Sequence, residues 1–125
     1  MHYDPDKAPD PREWLALDEQ ERIRLATKYH VASRTKVPNV EAHAVFHAIV
    51  ENQIAEGVES TCRTIERLCS EGLTRHDAVH AVGSVIAQFT YDAMHSGTAS
   101  SPEDTQRDLN ARIEALSARE WRKGR

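Results

Sequence analysis

Residues that start and stop helices recur along the whole chain, and their spacing is the feature that most limits the fold. Asp10 precedes Pro11, and Asp18 precedes Glu21 by three residues, two arrangements typical of a helix N-terminus. No stretch shows the sustained period-two alternation of β-branched residues that marks a half-buried strand. The pattern therefore predicts an all-α protein.

Further boundary residues divide the rest of the chain. Asn39, Thr74 and Ser101 can cap helices that follow them, and Gly57, Gly72 and Gly97 can end the helices that precede them. The predicted helices cover about residues 19–33, 40–56, 58–71, 75–96 and 102–121, after a short first helix that begins at Pro11. We expect a single-domain helical bundle of four to six helices.

Three regions of the chain differ in composition. Residues 1–10 hold two of the five prolines and no apolar periodicity, so we interpret them as an extended lead-in. Residues 11–97 form the predicted helical bundle with a histidine-rich core. Residues 98–125 comprise a linker and a polar C-terminal helix with a narrow apolar stripe. That stripe suits packing on the body or on a second chain, so a homo-oligomer or a protein partner through this helix is an open expectation.

The charge balance argues against two classes of partner. The chain has 16 basic and 20 acidic residues and a net charge of -4, which offers no electrostatic attraction to nucleic acid or to an anionic membrane. No apolar run approaches the roughly 20 residues that span a bilayer, and the first residues lack the basic-then-apolar pattern of a signal peptide. We therefore expect a cytoplasmic protein that binds neither nucleic acid nor membrane.

Seven histidines in 125 residues are many, and four of them form two pairs at helical spacing. His43, His47 and Glu51 follow one another at i, i+4 and i+8, and His76 and His80 form a second i, i+4 pair. Residues four apart on a helix are neighbours on one face, with Cβ atoms roughly 6 Å apart. Because apolar residues share both faces, we expect the rings to lie inward, where an imidazole without a partner is costly.

Two such pairs on facing helices predict a metal site in the bundle core. Glu51 would be a ligand or a residue that orients a ligand. Nitrogen and carboxylate donors suit zinc, iron, manganese or nickel without distinguishing among them. The predicted ligands of this divalent metal ion are His43, His47, Glu51, His76 and His80.

The reaction, if there is one, stays open at this point. A catalytic site would keep an open coordination position that activates water or dioxygen. The alternative is a non-enzymatic helical interaction module, possibly dimeric, in which Glu51 or Asp77 forms hydrogen bonds with buried histidine rings.

The second histidine pair also invites comparison with zinc peptidases. The stretch HDAVHAVGSVI aligns with H-E-x-x-H-x-x-G-x-x-H at His76, His80 and Gly83. Asp77 replaces the glutamate that acts as general base, and Ile86 stands where the third histidine belongs. Because Asp77 reaches less far and also suits a helix start, the pattern does not favour a peptidase.

The two histidine blocks together resemble a family of small bacterial all-helical proteins that is catalogued only as a domain of unknown function. That family carries H-x-x-x-H-x-x-x-E-x-Q followed by H-E-x-x-H about 25 residues later, and the resemblance covers residues 38–90. The matching residues are His43, His47, Glu51, Gln53, His76 and His80, whereas Asp77 departs from the glutamate. The resemblance implies a shared metal-binding constellation and no particular activity.

Overall fold

The computed structural model describes residues 1–34, 36–97 and 100–124. This part of the chain folds into seven α-helices and contains no strand. The helices are α1 (Pro11–Ala16), α2 (Glu19–Ala32), α3 (Val40–Ala55), α4 (Glu59–Ser70), α5 (Arg75–Ser96), α6 (Pro102–Glu114) and α7 (Ala118–Lys123). The predicted all-α bundle is confirmed.

Side-chain caps explain where most of these helices begin. Asp10, Asp18, Asn39, Thr74 and Ser101 each accept a hydrogen bond from the backbone N–H three residues later, which satisfies one of the free donors in the first turn. Glycines with positive φ follow α3, α4 and α5. The cap residues read from the sequence therefore determine where each long helix begins. The exception is α4, whose cap residue makes no side-chain hydrogen bond.

The last part of the chain differs from the single helix that was predicted to run to about Trp121. Helix α6 ends at Glu114, and Ser117 caps a separate helix α7 by accepting from the N–H of Glu120. This break adds one helix to the four to six expected. Ile113 and Ala118 are both 1% exposed, so the apolar stripe of this region packs on the body of the same chain.

Helix α3 is the central element, since it packs against α1, α2, α4 and α5. It contributes Val50 to an apolar cluster shared with α4, α5, α6 and α7. It contributes Ala44 and Ala48 to a second cluster shared with α1, α2 and Tyr3. The faces of α3 that meet α2 and α5 therefore bring side chains from three helices together.

Three predicted features fall partly outside the described residues. Thr35 lies between the predicted helices over about 19–33 and 40–56, Thr98 and Ala99 begin the predicted linker, and Arg125 ends the predicted C-terminal region. None of the helices in the described ranges is long and apolar enough to cross a membrane.

Candidate metal centre

His47 on α3 is the centre of a cluster of five histidine rings. It is 2% exposed, and its ring centroid lies 4.4 Å from that of His30, 4.8 Å from His43 and 5.3 Å from His76. The His80 ring is 6.3 Å away. Three helices thus deliver five imidazoles to one place, because α2 and α5 both pack on α3.

His30 enters this cluster from α2 and is fully buried. Its Nδ1 lies 2.6 Å from the carbonyl oxygen of Ala26, one helical turn earlier. A carbonyl oxygen only accepts hydrogen bonds, so Nδ1 carries the proton. The Nε2 atom of neutral His30 therefore has a free lone pair.

Tyr3 fixes the tautomer of His47 in a similar way. Its phenolic oxygen donates to Oε2 of Glu51 at 2.7 Å and lies 3.2 Å from Nδ1 of His47. Burial and the neighbouring carboxylate of Glu51 hold the pKa of Tyr3 well above its ordinary value, so the phenol stays protonated. Because its one hydrogen goes to Glu51, the oxygen accepts from Nδ1–H of His47, which leaves Nε2 of His47 as the unprotonated nitrogen.

Three of these rings have a buried nitrogen that makes no hydrogen bond to the described residues. They are His30, His43 and His47, and the atom is Nε2 in each case. One possible ligand atom from each ring lies within 4.8 Å of the others. One ligand nitrogen from each of three rings at that separation could hold one metal ion after small ring movements, since zinc–nitrogen bonds are about 2.0–2.1 Å long.

The second predicted pair borders this triad. The His80 ring lies 4.7 Å from that of His43, and the His76 ring lies 5.9 Å from that of His30. The backbone N–H of His76 donates to Asp6, which ties the start of α5 to the N-terminal segment. The structure therefore brings the two i, i+4 pairs together on facing helices.

Glu51 lies beside the cluster and is turned towards other partners. Arg75 donates to both of its oxygens, at 2.8 Å and 2.7 Å, and Tyr3 donates to one of them. Burial acts to lower the pKa of Arg75, but its pairing with Glu51 raises that pKa overall, so the guanidinium stays charged. Glu51 is therefore linked to His47 through the phenolic oxygen of Tyr3. It does not belong to the group formed by His30, His43 and His47. Gln53, the remaining residue of that motif, accepts a hydrogen bond from Thr61 on α4 at 2.5 Å.

The buried histidines are neutral at physiological pH. Burial, followed by the nearby rings of His30 and other histidines, lowers the pKa of His47 to about 2 and that of His43 to about 4. Burial also lowers the pKa of His30. Neutral imidazole is the form that binds metals, so protons compete weakly for these nitrogens near pH 7.

A small cavity borders the cluster between α3 and α5. Its volume is about 90 Å³. Two of its walls are rings of the triad, and the rest of its lining is largely apolar. Beside His43 and His47, the cavity is lined by His80, Phe46, Gly83, Ser84 and Ala87.

The zinc-peptidase pattern has no counterpart in this geometry. The N–H of Asp77 donates to the side chain of Thr74, as expected for the first turn of α5. Helix α5 continues through Gly83 to Ser96, and Ile86 is buried in the apolar core. A Cβ built on Gly83 would lie 3.7 Å from side-chain atoms of Phe46 and Val50, so this glycine marks the contact between α5 and α3.

Two residues of the site were not anticipated from the sequence. His30 has no histidine four residues away. The only sign of its burial in the sequence is that it shares a helical face with the apolar residues Leu25 and Ala26. Tyr3 belongs to the segment interpreted as a lead-in and is 2% exposed. No local pattern could have indicated its contact with His47, which lies 44 residues along the chain.

Fold and site together define an all-α protein with a buried histidine cluster that could hold a metal ion. No protein-family model, curated protein or solved structure matches this chain.

Proposed function

We propose that this protein binds one divalent transition-metal ion through Nε2 of His30, His43 and His47. The observation that carries the proposal is the set of three buried Nε2 atoms without a hydrogen-bond partner in the described residues. An orphaned buried polar atom is costly, and native proteins rarely keep three side by side without a ligand. The fixed tautomers of His30 and His47 support the same assignment.

The donor set narrows the choice of metal. Arg75 and Tyr3 occupy the oxygens of Glu51, so the proposed ligands are all imidazole nitrogens. Imidazole suits zinc, iron, nickel and copper, whereas manganese favours oxygen ligands. We therefore propose zinc, iron, nickel or copper, with His76 and His80 close enough to replace or complete the triad after a movement of α5 side chains.

Glu51 and Arg75 act on the site through Tyr3. A histidine ligand is held in place when its other ring nitrogen donates to a fixed acceptor. Tyr3 is that acceptor for His47, and the buried ion pair of Glu51 and Arg75 fixes the phenol. In this proposal Glu51 orients a ligand, one of the two roles expected from the sequence.

A three-nitrogen site resembles catalytic zinc sites in that it leaves a coordination position free for water or another small ligand. The proposed function is metal binding, and the site is compatible with chemistry that activates water or dioxygen. It assigns no substrate.

A second candidate is a protein-interaction role in which the histidines only form a buried polar network. The observation in its favour is the exposure of two large side chains in the C-terminal half of α5. Tyr91 is 58% exposed and Met94 is 78% exposed. Exposed large apolar side chains on one helix are typical of a contact surface.

Metal analysis of protein purified without a histidine tag tests the first proposal and separates it from the second. We expect about one equivalent of metal in the wild-type protein and loss of that metal in a His43→Ala/His47→Ala variant. His2→Ala/His95→Ala is the matched control, since both histidines are exposed. Wild-type protein that takes up no zinc, iron, nickel or copper after chelator treatment and remains folded would overturn metal binding and favour the interaction role.

A further inference from the structure

The cavity beside the histidine triad has the size of a small ligand. Its volume of about 90 Å³ exceeds the roughly 10–15 Å³ that one water requires and is below the about 150 Å³ of a cavity that accepts benzene. The pocket is partly open to solvent at the exposed Ser84, and a ligand held wholly within it is larger than water and smaller than an aromatic ring.

The position of the cavity gives that ligand a coordinating partner. The rings of His43 and His47 belong to the triad and also line the cavity. Nε2 of His47 is unpartnered, and the His47 side chain is almost fully buried. Because both rings line the cavity, an ion bound to them would lie beside it.

The sequence of α5 keeps this space open. After His80, the residues that face the cavity are Gly83, Ser84 and Ala87, which are all small. Phe46 of α3 forms part of the opposite wall. A larger side chain at position 87 would occupy the volume.

We infer that this cavity receives a small ligand of the size of azide or formate, which coordinates the metal ion beside His43 and His47. This inference rests on the proposed metal site. Largely apolar walls hold water weakly, and the positive charge of the metal ion would offset the cost of placing a compact anion among them. The class of ligand is set by the cavity volume and by the need for one donor atom.

Protein loaded with cobalt(II) provides a direct test, because its visible absorption changes when a ligand enters the coordination sphere. We expect azide and formate to change the spectrum of the wild-type protein and benzoate to have no effect. An Ala87→Phe variant should keep its cobalt and lose azide affinity by at least about tenfold, or 1.4 kcal/mol. Ala93→Phe, on an exposed position of the same helix, should bind azide like the wild type.

The possible results distinguish failure of the ligand cavity from failure of the proposed metal site. Failure to take up cobalt, zinc, iron, nickel or copper would overturn the metal site and the ligand together. Stoichiometric cobalt with no spectral response to azide and formate, or with equal responses to azide and benzoate, would overturn the ligand cavity and leave the metal site standing. The comparison of azide with benzoate in the wild-type protein decides the question even if Ala87→Phe fails to fold.

Discussion

The phenolic oxygen of Tyr3 lies 3.2 Å from Nδ1 of His47 and joins the N-terminal segment to the centre of the histidine cluster. The same oxygen donates to Glu51 at 2.7 Å. The tautomer of the most buried ring on α3 is therefore set by a residue that precedes all the helices.

Replacement of Tyr3 by Phe removes this acceptor while it preserves the aromatic packing against Trp14. We expect metal affinity to fall by about 10–100-fold, the usual effect of losing a residue that orients a metal ligand. The metal-free protein should also lose about 1–3 kcal/mol of stability, because a buried Nδ1–H is left without an acceptor. Chelator competition and urea unfolding measure the two effects.

Tyr91→Phe is the control for this substitution, since Tyr91 is 58% exposed and contacts the exposed His95. It should change neither quantity. Equal metal affinities in Tyr3→Phe and wild-type protein would contradict the orienting role of Tyr3.

His30 and His95 make the same local hydrogen bond in different surroundings, which gives a matched pair of substitutions. Nδ1 of His30 lies 2.6 Å from the carbonyl of Ala26, and Nδ1 of His95 lies 2.8 Å from that of Tyr91. His30→Ala should abolish stoichiometric metal binding, because it removes one of three ligands. It should also destabilise the metal-free protein through a cavity in the core.

His95→Ala should leave metal content and stability close to wild type, since surface substitutions usually change the free energy of unfolding by less than about 0.5 kcal/mol. Elemental analysis and thermal unfolding check both variants. Full metal content in His30→Ala would remove His30 from the ligand set and direct attention to His76 and His80.

Glu51 was expected to share one helix face with His43 and His47, and its position outside the group of three histidines has a geometric cause. Spacing along one helix predicts which side chains share a face, and the pair His43 and His47 follows directly from it. Glu51 is eight residues beyond His43, and at about 100° per residue its direction has drifted by roughly 80° from that of His43. That drift turns its carboxylate towards Arg75 and Tyr3.

Contacts between distant segments are set by tertiary packing, which no local spacing records. The cap residues of α1, α2, α3, α5 and α6 could be read from the sequence because each acts on the N–H three residues later. His30 could not be assigned because the histidines nearest to it, His43 and His47, are on α3. The Ser117 cap was missed because the apolar stripe continues across the break from Ile113 to Leu116.

The pair of Glu51 and Arg75 supports the site from a buried position, and its two side chains are 1% and 14% exposed. Glu51→Gln leaves the Arg75 guanidinium without its carboxylate, so we expect a loss of about 3–5 kcal/mol in the free energy of unfolding. The exposed pair of Glu59 and Arg63 is the control, and Glu59→Gln should cost less than about 1 kcal/mol. Urea unfolding of both variants tests the contrast. Similar losses in the free energy of unfolding would show that the buried pair stabilises the fold no more than the exposed pair.

Stability should fall as the pH drops below 6.5, and the buried histidines are the reason. The pKa of His47 is lowered from 6.5 to about 2, and that of His43 from 6.5 to about 4. Below pH 6.5 these histidines bind protons in the unfolded chain but stay unprotonated in the folded protein. Because the unfolded state binds more protons, a lower pH favours unfolding. For His47 the slope approaches about 1.4 kcal/mol per pH unit and extends down to about pH 2.

Urea unfolding of the metal-free protein at several values between pH 7 and pH 5 measures this dependence before most carboxylates titrate. Over this range both rings contribute, because the pKa values of His43 and His47 in the folded protein lie below 5. A His43→Gln/His47→Gln variant keeps polar side chains of similar size but has no group that titrates at these positions. Its stability should therefore depend less steeply on pH than that of the wild type, whereas parallel curves for the two proteins would assign the acid sensitivity to other residues.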